Sequence, residues 1–279
     1  MARHASEGSS WEMTRRGPHP GLAGHVREYC GYLEEGRDAV RRREVASGRV
    51  TMILSFGDPI DVAMSNSPSP GGTMRSFVAG LHEGYAITEH DGRQAGIQID
   101  LTPLGAYRLL GVPMSEVANQ VVRLDALRGR QIEALTDRLA SAPAWPDRFA
   151  LLDQVFLAWA DDGPDPDRSV AWAWRQLEQS YGQVAVGTLA EEIGWSRRHF
   201  LTRFRGQVGL APKSTGRVLR FRRAVDLLTR GQARSIGEAA ADSGYADHSH
   251  LVREFRILAG CTPSELVAAQ TPDGLGVSG

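Results

Sequence analysis

The last third of this 279-residue chain repeats itself at a fixed interval, so it reads as two copies of one supersecondary unit. Val186-Gly187-Thr188-Leu189-Ala190 returns 50 residues later as Ile236-Gly237-Glu238-Ala239-Ala240, and Gly194-Trp195 returns as Gly244-Tyr245. One inserted residue then moves the interval to 51, at which Phe204, Gly209 and Pro212 return as Phe255, Gly260 and Pro263. Each copy reads helix, Gly-aromatic turn, helix, Gly-x-x-Pro. The small Ala190 and Ala240 let a second helix cross closely. Gly194 and Gly244 supply the backbone freedom that a tight turn between helices needs.

The second helix of each copy has two chemically distinct faces. Ser196 is placed to cap a helix running to about Val208. Phe200, Phe204 and Val208 then share a buried stripe, while Arg198, Leu201, Thr202 and Arg205 face the other way, flanked by Arg197 and Arg203. In the second copy Asp247 is the cap, with Leu251, Phe255 and Leu258 inward and Ser249, His250, Arg253 and Arg256 outward. A helix entering a major groove needs this combination: arginines for phosphates, and short or apolar side chains for base edges. Between Ile193 and Val225 there are nine basic residues and no acidic one. They include Lys213, Arg217, Arg220, Arg222 and Arg223 on the connection between the two copies.

The overall charge of −1 hides this polarity. Residues 1–168 carry 18 basic and 23 acidic side chains, whereas residues 169–270 carry 14 basic and 9 acidic ones. Such asymmetry predicts an acidic domain joined to one that meets a polyanion. Asp161 to Arg168, with two prolines, one glycine and four aspartates, reads as a solvated linker.

The N-terminal part mixes strands and helices. Alternation over Val50–Phe56 predicts a largely buried strand, and Phe77–Leu81 a further one. Tyr85–Glu89 and Ile97–Leu101 flank Asp91-Gly92, a hairpin signal. Asn66–Gly72 reads as a loop. Helical periodicity follows over Leu104–Leu110, Ser115–Val122, Leu127–Ser141 and Asp147–Ala160, with Ser115 and Asp147 as caps. The predicted fold class is an α+β N-terminal domain, a β-barrel or sandwich plus helices, followed by an all-α C-terminal domain with two helix-turn-helix units. The predicted domains are 1–160, a linker at 161–168, the helical domain at 169–270 and a flexible tail at 271–279.

At this point residues 169–269 resemble the DNA-binding domain of the AraC/XylS family of transcription regulators. The resemblance is carried by Leu189-Ala190-Glu191-Glu192-Ile193-Gly194-Trp195-Ser196 and Phe200-x-x-x-Phe204. In the second copy it is carried by Ser235-Ile236-x-x-Ala239-Ala240-x-x-x-Gly244-Tyr245, by Asp247-x-Ser249-His250-Leu251-x-Arg253-x-Phe255-Arg256, and by Gly260-x-Thr262-Pro263. It implies seven helices, with a long one over about Pro212–Thr229 joining two readers that enter successive major grooves ~34 Å apart. It implies base reading by Arg198, Leu201 and Thr202 in the first unit and by Ser249, His250 and Arg253 in the second. Phosphate contacts fall to Arg197, Arg203, Arg205, Lys213, Arg217 and Arg256. Leu201 departs from the family's usual small or polar residue, and either touches a thymine methyl or packs on its neighbours. Residues 15–130 resemble, more weakly, the cupin-like sensory part of some of these regulators, through Val50–Phe56, Phe77-x-x-Gly80 and Leu101-x-Pro103-x-Gly105-Ala106-x-x-Leu109-Leu110-Gly111-x-Pro113.

The resemblance implies a double-stranded DNA partner, a small-molecule effector in the N-terminal domain, a homodimer formed through helices at 127–160, and RNA polymerase as a further partner. No enzyme, cofactor, metal or membrane is expected, and the setting is cytoplasmic. An enzyme targeted by such a domain is the competing class. Its methyl-acceptor version needs clustered zinc-bound cysteines, and Cys30 and Cys261 are too far apart for that. No catalytic triad is evident, and no glycine-rich stretch ends in the G-K-[ST] of a phosphate loop. His248 and His250 lie two apart on a helix and do not face each other, which argues against a metal pair. His82, Glu83 and His90 read as surface polar residues. Trp172, Trp174, Tyr181 and Trp195 read as core, and Cys30 as a small buried hydrophobe.

Overall fold

The computed structural model describes the chain apart from residues 1, 7, 8, 37, 68–70, 270–276 and 279. Among the described residues twelve strands form two antiparallel sheets, all but the last of them from the N-terminal domain. The first sheet contains β1 (Ala2–Ser6), β2 (Ser9–Arg16), β3 (Val26–Gly36), β10 (Arg93–Leu101), β5 (Val50–Ser55), β8 (Phe77–Ala79) and β11 (Val121–Arg123), in that spatial order. The second contains β12 (Val277–Ser278), β4 (Val40–Glu44), β9 (Ala86–His90), β6 (Ile60–Met64) and β7 (Gly72–Met74). The result is an open sandwich and not a closed barrel.

The Asp91-Gly92 turn is present, but its flanking strands do not pair. β9 joins β4 and β6, while β10 joins β3 and β5. The turn therefore carries the chain from one sheet to the other. Its backbone closes on the preceding corner, where Gly36 N donates to Gly92 O at 2.9 Å.

The apolar side of the first sheet faces helices. Val50, Met52 and Leu54 on β5 and Ile97, Ile99 and Leu101 on β10 pack in one cluster with Phe149, Leu152 and Phe156 of α4 (Trp145–Asp162). Tyr29 lies between Phe149 and Phe156, with ring centroids at 5.8 and 6.2 Å, and its hydroxyl donates to the buried Asp153 carboxylate at 3.0 Å. Burial and this carboxylate both push the Tyr29 phenol well above its ordinary range.

Several helix assignments need correction. α1 (Pro103–Leu110) forms as expected, capped by Thr102. Ser115–Val122 is not a helix. It is a 3-10 turn, Met114–Glu116, followed by β11, because Asn119 turns left-handed (φ 57°) and delivers the chain back to the sheet. The helix expected over Leu127–Ser141 is two, α2 (Leu124–Arg128) and α3 (Gln131–Ser141), separated by Gly129 at φ 64°. Asp147 is not a cap, since α4 starts two residues earlier at Trp145.

The connection between the domains is shorter and more anchored than a solvated linker. Asp161 and Asp162 end α4, leaving 163–167 without regular structure. Arg108 pairs with Asp165, Asp167 N donates to Gln207 Oε1 at 2.9 Å, and the Asp167 carboxylate caps α5 (Arg168–Gln179). Of the stretch read as a flexible tail, residues 271–276 and 279 lie outside the described residues, and β12 pairs with Arg42 and Arg43 of β4.

Six more helices follow α5: α6 (Val186–Ile193), α7 (Arg197–Val208), α8 (Pro212–Thr229), α9 (Ile236–Asp242), α10 (His248–Leu258) and α11 (Pro263–Ala268). Helix α8 runs through this domain, burying Val218, Phe221, Ala224 and Val225. Trp174 is core, and Trp172 and Trp195 are half-buried against it. Tyr181 is 45% exposed, carrying Arg223 over its ring at 4.7 Å. Cys30 is buried. Among the described residues no helix is long and apolar enough to cross a membrane.

Candidate nucleic-acid interface and internal cavity

The two copies of the repeat fold alike down to their turns. Gly194 (φ 75°) and Gly244 (φ 74°) both turn left-handed, a conformation costly for residues with a Cβ. The next amide in each closes on the helix behind it: Trp195 N to Ala190 O at 3.1 Å, and Tyr245 N to Ala240 O at 2.9 Å. Ser196 accepts from His199 N and caps α7, and Asp247 accepts from His250 N and caps α10. The inserted residue of the second copy is Ala246, which lengthens the turn by one before the cap.

Both caps sit three residues before a histidine whose ring meets the turn aromatic edge-on. His199 lies on Trp195 at 4.5 Å and His250 on Tyr245 at 5.2 Å. Ala246 N also approaches His250 Nδ1 at 3.5 Å. His250 is thus half-buried at the shoulder of the turn. At the interval of 51, Leu201 corresponds to Val252 and Thr202 to Arg253, so half-buried Val252 occupies the place of half-buried Leu201, a position the sequence reading left out. Thr202 Oγ1 donates to Arg198 O at 3.0 Å, which leaves its oxygen free to accept.

Arg197, Arg198, Thr202, Arg203 and Arg205 are exposed on α7, as are Ser249, Arg253 and Arg256 on α10, and Lys213 at the start of α8. Leu201 is half-buried. Arg203 lies 3.5 Å from the Asp167 carboxylate. Arg217 departs from the expected phosphate contact. Its guanidinium grips Glu254 of α10 with Nε–Oε2 at 2.6 Å and Nη2–Oε1 at 3.0 Å, and approaches Glu83 of the N-terminal domain at 3.7 Å. The other α8 arginines are also partnered within the chain: Arg220 Nη1 donates to Gly182 O at 2.7 Å, Arg222 pairs with Asp226 one turn along the same helix, and Arg223 lies over the Tyr181 ring. The basic density of the sequence thus divides into an outward set on the helix faces and an internally partnered set on α8, of which Arg217 and Arg220 tie that helix to its neighbours.

A cavity of about 750 Å³ lies between the two sheets and against α8. The first sheet turns its polar face into it, with Tyr32, Glu34, Gln94 and Gln98, and the apolar wall is Ile53, Ile60, Val62 and Phe77. Arg42 forks onto Glu34 at 2.9 and 3.0 Å, with His90 Nε2 3.7 Å from the same carboxylate. Gln94 is 3% exposed and its Oε1 has no hydrogen-bond partner. Arg222 and Asp226 of α8 and Arg230 just after it also line the cavity. His82 and His90 are buried and not surface residues, and His82 Nδ1 donates to Gly84 O at 2.8 Å.

Desolvation holds the values of His82, His90 and His25 below the ordinary histidine range. The unfolded chain therefore takes up protons first, so stability is lost as pH falls through about 6.5 and the loss ends below the folded values. The expected result is a lower urea midpoint at pH 5.5 than at pH 7.5, with a smaller difference in His82→Gln. Equal differences in the two proteins would contradict the assignment.

A helix-turn-helix domain family matches residues 189–269, and a domain family of unknown function matches residues 14–123. The uncharacterized HTH-type transcriptional regulator YbfI of Bacillus subtilis is 36% identical over 89 residues, 32% of each chain, so the match spans about a third of that relative's length. The crystal structure of ToxT from Vibrio cholerae is similar over 94% of this chain and 98% of its own, at a TM-score of 0.50 and 11% identity. ToxT with an unsaturated fatty acid bound gives a TM-score of 0.47. The likeness to ToxT concerns the fold: a β-rich domain followed by a helical one in the same order.

Proposed function

We infer that this chain is a transcription regulator of the AraC/XylS family that reads promoter DNA with two tandem helix-turn-helix units under the control of a small molecule. The observation that carries the reading is the matched pair α7 and α10, each capped, each exposing arginine on one face, and joined through α8. Arg198, Leu201 and Thr202 read bases in the first unit; Ser249, His250 and Arg253 do so in the second, joined by Val252. Arg197, Arg203, Arg205, Lys213 and Arg256 hold phosphates, which makes affinity salt-dependent.

Effector control is assigned to the cavity. It offers an apolar wall and unsatisfied polar groups, and α8 forms part of its lining. A ligand that fits it differently in two arrangements of α8 biases DNA binding by that difference in affinity. The units of this reading are a sensory domain to residue 160 and a reading domain over 169–270. A homodimer, RNA polymerase as partner and a cytoplasmic setting belong to the same proposal.

Selection of bound DNA from a random pool tests it. The expected product is a motif of two segments about one helical turn apart. No enrichment at low and moderate salt would refute sequence-specific reading. Arg253→Ala is expected to weaken binding to that motif by about 1–3 kcal/mol and to relax one base position. An equal loss on every sequence would instead make Arg253 a phosphate contact.

A further inference from the structure

The N-terminal domain touches each reading unit at the same place in the repeat. Gly209 and Gly260 are equivalent, each following its reading helix and opening the Gly-x-x-Pro that starts the next one. A Cβ on Gly209 would lie 3.2 Å from Met114 O and 3.4 Å from Ala118 Cβ. A Cβ on Gly260 would lie 2.5 Å from Tyr85 Cε1, inside the ring's contact distance. The family-type glycine at the end of each reader thus has a second reason in this chain: a loop of the other domain rests on it.

The two resting points belong to one piece of structure. Asn119 N donates to Leu81 O at 2.9 Å, and Asn119 Oδ1 accepts from Glu83 N at 2.9 Å and from Asn66 Nδ2 at 3.1 Å. Gly80 N donates to Gln120 O at 3.2 Å. Segments 80–85 and 114–119 are stitched together, so their separation is set by the N-terminal domain. Tyr85 is held in turn, with Arg43 over its ring at 5.6 Å, and neighbouring Glu83 meets Arg217 of α8 at 3.7 Å.

The C-terminal domain ties the two readers to α8 unequally, and the N-terminal domain adds a second tie. α10 is fastened to α8 by Arg217–Glu254 and by Phe221 against Phe255 at 4.9 Å. α7 packs on α8 and, with α8, on α5, but its most extensive seat is on Met114–Glu116 and α1 of the N-terminal domain. We propose that segments 80–85 and 114–119 form a two-armed brace that sets the angle between the reading units, making Tyr85 a determinant of half-site spacing. This rests on the reading of both units as DNA readers.

The test uses the full chain on the selected operator, with the spacer between segments lengthened or shortened by one base pair. That change turns the second site by roughly 35° and moves it by roughly 3.4 Å. Wild type is expected to lose about tenfold or more in affinity for each step, equivalent to about 1.4 kcal/mol. Tyr85→Ala is expected to lose less than about threefold, with unchanged base preference within each segment. Tyr85→Phe, which keeps the ring, should behave as wild type. Glu83→Gln, which keeps the ring and loses the Arg217 contact, should shift the penalty the same way by less. If wild type is sharply spaced and neither Tyr85→Ala nor Glu83→Gln changes the penalty, the brace is wrong while the tandem reading stands. If wild type selects no two-segment site, the reading fails and the brace falls with it.

Discussion

Phe221→Ala should cost about 3–5 kcal/mol of folding free energy, the range for truncating a fully buried aromatic side chain in a core that cannot close over the gap. Phe221 is 0% exposed and lies midway along α8, where its ring meets Phe255 of α10 edge-to-face at 4.9 Å. The edge-to-face geometry adds to the area term. Backbone collapse into the space is opposed from both ends of the contact, by the Arg217–Glu254 grip on one side and by buried Val225 and Leu258 on the other. The second reading unit should suffer first, because α10 depends on α8 for its seat. Urea unfolding checks the magnitude. A loss below about 1 kcal/mol would mean that this part of the core relaxes freely, against the packing described.

Arg217→Ala should cost about 2 kcal/mol of stability and leave the salt dependence of DNA binding unchanged. The pair with Glu254 is bidentate, the strong form of a charge-assisted hydrogen bond. Glu254 is 12% exposed at its side chain and Arg217 28%, so removing the arginine strands a largely desolvated carboxylate. Full burial would put the loss at about 3–5 kcal/mol, and the partial exposure of Arg217 brings it down. Arg217→Lys should restore little, because an ammonium cannot reproduce the fork. Affinity measured across a salt series discriminates the roles. A slope smaller by about one than that of wild type would return Arg217 to the phosphate set and contradict its place as a strut.

Arg217 also shows where sequence reasoning stops. Nine cations without an acid between Ile193 and Val225 look alike along the chain, and all point to a polyanion. Whether a cation is spent inside depends on acids elsewhere in the sequence. Glu254 stands 37 positions away and Glu83 lies in another domain. The same holds for β10. Along it Ile97, Ile99 and Leu101 alternate with Gln98 and Asp100, which separates an apolar from a polar face but does not say what either one meets. The apolar side is buried, under α4, and the polar side lines the cavity between the sheets.

Local signals survived because their causes are local. The repeat, the caps Ser196 and Asp247, the left-handed glycines and the apolar stripes of α7, α8 and α10 depend on residues within a turn or two of each other. The chain's own periodicity determines them. Pairing across distance decided the rest: β9 and β10 entering different sheets, Asn119 breaking a helical pattern, the internal cavity, Arg217 turned inward, and Tyr85 resting on Gly260. The physical reason is that each of these is fixed by a partner whose position is not encoded near it. Propensity and spacing specify what a segment can form, whereas only the packed fold specifies which face of it meets water, a cavity or another domain.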